Sequence, residues 1–291
     1  MKPVAIVPVA GAGTRLRPHT HTTPKALLLV AGKTILAHIL DQIVPVSPEK
    51  VILVIAPGAL GERIRDYASS RKDLRIECVV QEEPKGLGHA VAQARHAAGK
   101  SPLHIILGDT IVQVVEKPAK PVSKLAIVGL YYIAKGPLLF DCLDRLVREG
   151  RLTRGEIQLT DALGLLIEGG EELRPFPVKG WYDCGKTETL LETNRALLDQ
   201  LAAPVTREGV VVLPPVAMDP TADVSAAVIG PHVSIGPRTQ VRQAVVRNSI
   251  LNEGANVRDI LLEGSVVGEN AVVRGAYQRL NVGDSSEVEY S

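Results

Sequence analysis

The beginning of the chain constrains the fold most, because an apolar run ends in a glycine-rich turn with basic residues after it. Val4–Val9 is apolar throughout, as expected for a parallel strand buried on both faces. In the turn that follows, small residues allow a close backbone approach, and successive N–H groups can form an anion-binding nest. We therefore expect a polyphosphate site built from Ala10, Gly11, Ala12, Gly13, Thr14, Arg15 and, after Pro24, Lys25.

The glycines alone leave other interpretations open. A G-x-G turn after a strand also opens dinucleotide-binding folds, and many glycine turns bind nothing. No G-K-[ST] closes this turn, so it is not a Walker loop. The basic residues Arg15 and Lys25 favour the polyphosphate interpretation, because a fork-shaped cation and a point-charge cation suit a triphosphate.

Composition excludes several classes of partner. The 291 residues are 45% hydrophobic, which is enough for two domains. A net charge of +1 and an aromatic content of 3% do not favour nucleic acid. The sequence has no apolar run of about 18 residues, and three cysteines with no metal-type spacing fit a reducing compartment. We expect a soluble, cytoplasmic protein with no nucleic-acid or membrane partner.

Strand-like and helical patterns alternate over the first two thirds of the chain. This order predicts a mixed, mostly parallel α/β sheet, whose ligands bind beyond the carboxyl ends of the strands. The predicted strands are Val4–Val9, Val51–Ala56, Ile76–Val80 and His104–Leu107. The predicted helices are Thr34–Val44, Leu60–Ser69, Gly88–Ala98 and Thr187–Ala203, the last ended by Pro204.

The pattern changes from about Gly209, where apolar residues recur at six-residue intervals with small residues between them. This period is typical of a hexapeptide parallel β-helix, whereas a β-sandwich would show a period of two. The inward-facing residues should be Ile229, Ile235, Val241, Leu251, Val257, Leu261, Val267 and Val273. The predicted domains are therefore 1–205, an α/β domain, and 209–291, a β-helix.

Three further positions carry candidate chemistry. Gln81 precedes a Gly86-x-Gly88 loop, and its amide offers both a donor and an acceptor to a pyrimidine edge, although it could also be a solvated loop residue. Asp109 ends a strand and Asp183 precedes a helix. Each carboxylate is a natural Mg²⁺ ligand near a triphosphate, or else an ordinary turn or helix-end residue.

The combination G-x-G-T-R-L-x-P…P-K, followed by these motifs, resembles the sugar-nucleotide pyrophosphorylases. Some details resemble UTP–glucose-1-phosphate uridylyltransferases, and others resemble glucose-1-phosphate thymidylyltransferases with a β-helix tail. The resemblance implies a Rossmann-like nucleotidyltransferase domain followed by a left-handed parallel β-helix. It also implies the reaction of dTTP or UTP with glucose 1-phosphate, giving a nucleotide sugar and pyrophosphate.

The resemblance further implies roles for particular residues. Arg15, Lys25, Asp109 and Asp183 are the expected catalytic residues, and the two aspartates hold one Mg²⁺. Gln81 and Gly86 belong with the turn residues to the nucleotide site. The expected contacts to the sugar phosphate come from Glu116, Lys117, Gly129 and Tyr131, with Glu156–Asp161 lining the sugar pocket.

One feature departs from the family. Only seven residues separate Asp109 from Lys117, where the family has a much longer segment. Either the fold is abbreviated or a segment is absent from the printed sequence. We favour the second, because Ile111–Val115 joins what should be two separate strands.

Two other functions remain open at this stage. The chain could be a non-catalytic regulatory subunit, although such a protein has no need of the four expected catalytic residues together. The tail could instead be an acyltransferase, for which His232 is its one histidine. We expect the tail to be a packing module and the protein to be a homo-oligomer.

Overall fold

The computed structural model describes residues 1–114, 128–176, 178–201 and 205–276, without the side chains of 112–114 and 179. The chain divides into two compact units, Met1–Leu197 and Leu198–Ser291. This division lies a few residues before the predicted boundary at 205. Each unit is described by itself.

The first unit alternates strands and helices. Its strands are β1 (Val4–Pro8), β2 (Leu29–Val30), β3 (Lys33–Thr34), β4 (Val51–Ile55), β5 (Ile76–Val80), β6 (Leu103–Ile106), β7 (Thr110–Val114), β8 (Leu130–Ile133) and β9 (Val178–Asp183). Its helices are α1 (Ile35–Ile43), α2 (Ala59–Ser70), α3 (Leu87–Gln93), α4 (Arg95–Ala98), α5 (Gly136–Glu149), α6 (Leu159–Glu168) and α7 (Thr187–Leu198).

Five strands form the central sheet in the order β5-β4-β1-β6-β8. All neighbours are parallel except β8, which is antiparallel to β6. The first four residues of β1 and all of β4 are buried, which explains why both segments are apolar without alternation. The predicted mixed, mostly parallel α/β sheet is confirmed.

The four predicted strands agree with β1, β4, β5 and β6 within about a residue at each end. The helix predicted over Gly88–Ala98 is instead two helices, α3 and α4, with Ala94 between them. The helix predicted over Thr187–Ala203 ends at Leu198, and Ala203 and Pro204 lie outside the described residues. The sequence patterns also missed α5 and α6, which pack on the main core beside β1 and β6.

The second unit consists of short strands. They are β10 (Val210–Val212), β11 (Val216–Met218), β12 (Asp223–Ser225), β13 (Ala227–Ile229), β14 (Val233–Ile235), β15 (Gln240–Arg247), β16 (Ile250–Leu251), β17 (Asn256–Glu263), β18 (Val266–Val267) and β19 (Val272–Arg274). All their pairings are parallel.

Each strand from β10 to β17 pairs with one 16 or 17 residues further on. Val211 pairs with Val228, Val228 with Val245 and Val245 with Leu261. The residues that reach the core therefore recur at intervals of five or six, not strictly six. They are Val224, Ile229, Ile235, Val241, Val246, Leu251, Val257, Leu262, Val267 and Val273.

The prediction that Leu261 faces inward is wrong, because its side chain is 80% exposed. β17 bends at Asp259, where φ is +56°. The strand reaches the interior again at Leu262, five residues before Val267, whereas a strict period of six counted back from Val267 selects Leu261. The other predicted inward residues are buried or packed against this core.

None of the helices in the described ranges is long and apolar enough to span a lipid bilayer.

The corrected register predicts different effects for one substitution at two leucines. Leu251→Ala removes a side chain that is 0% exposed and should lower the free energy of unfolding by about 2–5 kcal/mol. Leu261→Ala, at an exposed position, should change it by less than about 0.5 kcal/mol. Urea denaturation of the two variants measures the difference, and equal losses would contradict the register.

Candidate active site

The turn after β1 presents unused backbone donors. Gly13 accepts hydrogen bonds from the Leu16 N–H at 2.9 Å and from the Thr20 hydroxyl at 2.8 Å, which hold the turn closed. Leu16 is completely buried and anchors it. The N–H groups of residues 11–15 donate no hydrogen bond within the described ranges, and Ala12 is exposed. Such a set of free N–H groups can bind an anion.

Gly108 brings the end of β6 against the end of β1. A Cβ at this position would lie 2.5 Å from the Pro8 carbonyl oxygen and 2.5 Å from Val9 Cγ1. Only glycine therefore fits without displacing β1. The close approach places Asp109, the next residue, beside the turn that follows β1.

Lys25 and Asp109 form an ion pair at this point. Lys25 Nζ donates to Asp109 Oδ2 at 2.7 Å, and the two side chains are 13% and 34% exposed. Lys25 begins a short 3-10 turn, Lys25–Leu27, directly after Pro24. The sequence predicted both residues as site members but not their contact, which joins segments 84 residues apart.

The second aspartate is brought to the same place by strand pairing. β7 and β9 are antiparallel with Thr110 opposite Asp183, and the Cys184 N–H donates to the Asp109 carbonyl oxygen at 3.1 Å. A Cβ built on Gly185 would lie 2.9 Å from the Asp183 carboxylate and 3.1 Å from the Arg15 guanidinium. The structure thus brings the four predicted catalytic residues together.

The donor set suits a cation that is held only partly by protein. The described residues contain no group of three or more His, Cys, Asp or Glu side chains placed to hold a metal ion. Asp109 and Asp183 nevertheless provide two neighbouring carboxylates beside an anion-binding turn. Mg²⁺ typically binds one or two carboxylates together with substrate phosphates, so this pair fits it.

Gln81 follows β5 directly and is only 6% exposed. Its amide Nε2 lies 3.2 Å from the Gly86 carbonyl oxygen and 3.0 Å from His89 Nδ1. Gly86 has φ of +101°, and a Cβ there would lie 2.7 Å from Glu156 Cβ. The loop is therefore fixed from both sides, by the Gln81 amide and by the segment that begins at Glu156.

These parts line one cleft of about 480 Å³ within the first unit. That volume falls within the usual range for small-molecule sites. The lining residues are Pro8 to Arg15, Lys25, Ala26, Gln81, Pro84, Gly86, Leu87, Ala90, Leu107, Gly108, Asp109, Glu156 and Gly185.

The residues predicted to bind the sugar phosphate lie beside the cleft or outside the described ranges. Gly129 accepts a hydrogen bond from the Leu107 N–H at 3.0 Å, and Tyr131 pairs with Ile105 on the next strand. Tyr131 packs against the core, and burial raises its pKa. Glu116 and Lys117 fall in 115–127, outside the described residues.

Cys184 is completely buried beside Asp183. Burial raises the pKa of its thiol to about 12, so the reactive thiolate is not formed near neutral pH.

The second unit has a depression of about 630 Å³ lined mainly by small and apolar residues, with Gln243 and Asp259 as its polar members. His232 is not among the described lining residues, and its Nε2 lies 2.8 Å from Asp199 Oδ1. The geometry therefore gives no support to acyltransferase chemistry at His232.

We compared the chain with models of known protein families, with curated proteins and with solved structures. The nucleotidyl transferase family profile matches residues 4–113 and 107–200. The chain belongs to the nucleotidyl transferase family. The two matches overlap at residues 107–113, next to the point where only seven residues separate Asp109 from Lys117. The family profile thus matches the chain in two segments and not in one continuous alignment.

Two curated relatives are similar to this chain. A glucose-1-phosphate thymidylyltransferase of Streptomyces griseus is 28% identical, with 99% of each chain covered. That alignment spans 357 residues, more than the 291 of this chain, so the relative carries segments without a counterpart here. The UTP–glucose-1-phosphate uridylyltransferase AglF of Haloferax volcanii is 29% identical, with 67% of this chain and 97% of the relative covered.

Solved structures share the fold of the first unit. A UDP-glucose pyrophosphorylase complexed with UDP-glucose superposes with a TM-score of 0.54 at 20% identity. It covers 69% of this chain and 100% of its own. An unliganded UDP-glucose pyrophosphorylase gives a TM-score of 0.56 at 19% identity.

The close packing around Gly86 predicts that a methyl group added at this position will weaken nucleotide binding. Gly86→Ala should weaken binding of a nucleoside triphosphate at least tenfold, because the new Cβ forces the loop away from Glu156 and moves Gln81. Gly99→Ala is the control, since its φ is also positive, at +62°, but no atom lies within 4 Å of its Cβ position. Isothermal titration calorimetry compares the two, and unchanged affinity in Gly86→Ala would contradict this packing.

Proposed function

We propose that the protein transfers a nucleotidyl group from dTTP or UTP to glucose 1-phosphate, producing a nucleotide sugar and pyrophosphate. The observation that carries this proposal is the convergence of Arg15, Lys25, Asp109 and Asp183 on the free N–H groups after β1. The family and the relatives named above support the same class of reaction.

The chemistry requires no general base. The sugar phosphate is largely dianionic near pH 7, because the second pKa of a phosphate monoester is about 6. One of its oxygens attacks the α-phosphorus in line, and pyrophosphate leaves. Catalysis then consists of positioning and charge stabilisation. The described charged side chains that line the cleft are Arg15, Lys25, Asp109 and Glu156, and the first three have proposed roles as phosphate or cation ligands.

Each basic group has a separate task in the proposal. Arg15 holds the β- and γ-phosphates and stabilises the charge that develops on the departing pyrophosphate. Lys25 contacts the α-phosphate, where negative charge accumulates during attack. The N–H groups of residues 11–15 bind the polyphosphate between them. Lys117, which lies outside the described residues, is assigned to the attacking phosphate, and Glu116 to the sugar hydroxyls.

Asp109 and Asp183 are the proposed holders of Mg²⁺. When bound, Mg²⁺ neutralises phosphate charge and fixes the triphosphate geometry. The Lys25–Asp109 ion pair has a consequence for this step. Asp109 accepts from Lys25 through Oδ2, and Mg²⁺ at the same carboxylate would compete with the ammonium group for its negative charge, which would release Lys25 toward the phosphates.

The second unit is proposed to be a left-handed parallel β-helix that serves as a packing module in a homo-oligomer. Parallel ladders at offsets of 16 or 17 residues support the coil. We further propose a cytoplasmic location. The three cysteines are all free, as expected in a reducing compartment.

The direct test measures pyrophosphate release with Mg²⁺ and glucose 1-phosphate, supplying UTP, dTTP, CTP, GTP and ATP in turn. Turnover with UTP or dTTP is expected. If no triphosphate is turned over but UTP or dTTP binds, the proposed sugar is wrong. If none binds, the proposal fails and the regulatory-subunit interpretation gains support.

Lys25→Met should lower kcat by about 10²–10³, because it removes a cation that stabilises the transition state. Lys33→Met is the matched control, since Lys33 also pairs with an aspartate, Asp41, at 2.8 Å but is 57% exposed. Steady-state kinetics of both variants tests the assignment. Unchanged turnover in Lys25→Met would refute its role at the α-phosphate.

A further inference from the structure

The orientation of the Gln81 side-chain amide is fixed by its surroundings. The Gly86 carbonyl oxygen can only accept, so the end of the amide that lies 3.2 Å from it must be the NH₂ group. The same nitrogen lies 3.0 Å from His89 Nδ1. Both N–H bonds of the amide are therefore used, one for each partner.

Within the part of the chain that the structure describes, the amide oxygen of Gln81 has no hydrogen-bond partner. Oε1 accepts no hydrogen bond within the described ranges, and the residue lines the cleft. Gln81 consequently presents the cleft with an acceptor and no donor. An unconstrained glutamine would offer both a donor and an acceptor.

The His89 ring must be neutral with its proton on Nε2 for this arrangement to hold, because Nδ1 accepts. Burial lowers the pKa of His89, and the nearby Lys85 lowers it further, against the opposing effect of the Glu83 carbonyl and carboxylate. The neutral form thus predominates at neutral pH.

A second glutamine competes for the same ring. Gln93 Nε2 lies 3.1 Å from His89 Nε2 and 3.3 Å from the His89 carbonyl oxygen. A neutral imidazole accepts at one nitrogen only, so both glutamines cannot donate to it. Gln93 is partly exposed and can exchange a lost bond with water, whereas Gln81 is 6% exposed and cannot. Gln93 is therefore the amide that gives up its contact with the ring, and it keeps its NH₂ group on the His89 carbonyl oxygen.

We propose that His89 is a positioning residue that holds Gln81 with its amide oxygen toward the base, and so selects bases that carry a ring N–H. Uracil and thymine present N3–H and pair with this oxygen. Cytosine presents an unprotonated N3, which places two acceptors against each other. The inference rests on the proposed nucleotide site and adds a determinant of its base specificity.

The test compares the ratio of kcat/KM for UTP over CTP among variants. His89→Leu frees the amide to rotate, so the ratio should fall about tenfold or more. His89→Asn places an amide oxygen near the former Nδ1 position and should keep the ratio. His96→Leu is the control, because His96 is an exposed histidine in the neighbouring helix α4. An unchanged ratio in His89→Leu overturns the inference, as does an equal loss in His89→Asn.

A second measurement uses the unmodified protein and does not depend on turnover. Nitrogen NMR of the histidine side chains should show His89 as the neutral tautomer with its proton on Nε2. A proton on Nδ1 would overturn the inference even if the enzyme is active. If the wild type turns over none of the triphosphates, the proposed function fails instead, while the tautomer still reports on the Gln81–His89 contact.

Discussion

The ion pair between Lys25 and Asp109 is the contact on which the candidate site depends. It joins the turn after Pro24 to the carboxyl end of β6, and both ends are partly shielded from water. A pair of this kind is stronger than one on the surface, because the lower local dielectric strengthens the attraction between the two charges. The remaining catalytic candidates, Arg15 and Asp183, are placed around it by the β1 turn and by the β7–β9 pairing.

Strand order explains why these groups meet. In a parallel sheet the carboxyl ends of neighbouring strands lie at one edge, so residues that follow β1, β5 and β6 converge although they are far apart in sequence. Gly108 makes the approach of β6 to β1 close enough for ligand binding. The fold therefore forms one cleft that contains both the proposed polyphosphate site and Gln81, the proposed reader of the base.

The sequence predicted the central strands well, because a doubly buried strand must be continuously apolar. It predicted the second unit less well, since coils of 16 or 17 residues shift the apolar phase at each bend, and Leu261 was assigned inward for that reason. Helices α5 and α6 were missed altogether. The sequence also could not predict which group of each hydrogen-bonded pair donates. No pattern of residues reveals that both N–H bonds of Gln81 are occupied, because this depends on the backbone of Gly86 and the ring of His89.

The most direct test of the account is a crystal structure of the protein with Mg²⁺ and a non-hydrolysable analogue of UTP or dTTP. The account predicts the triphosphate on the N–H groups of residues 11–15 and the metal between Asp109 and Asp183. It also predicts that Lys25 leaves Asp109 to contact the α-phosphate. A nucleotide bound elsewhere, or an intact Lys25–Asp109 pair beside a bound triphosphate, would contradict it.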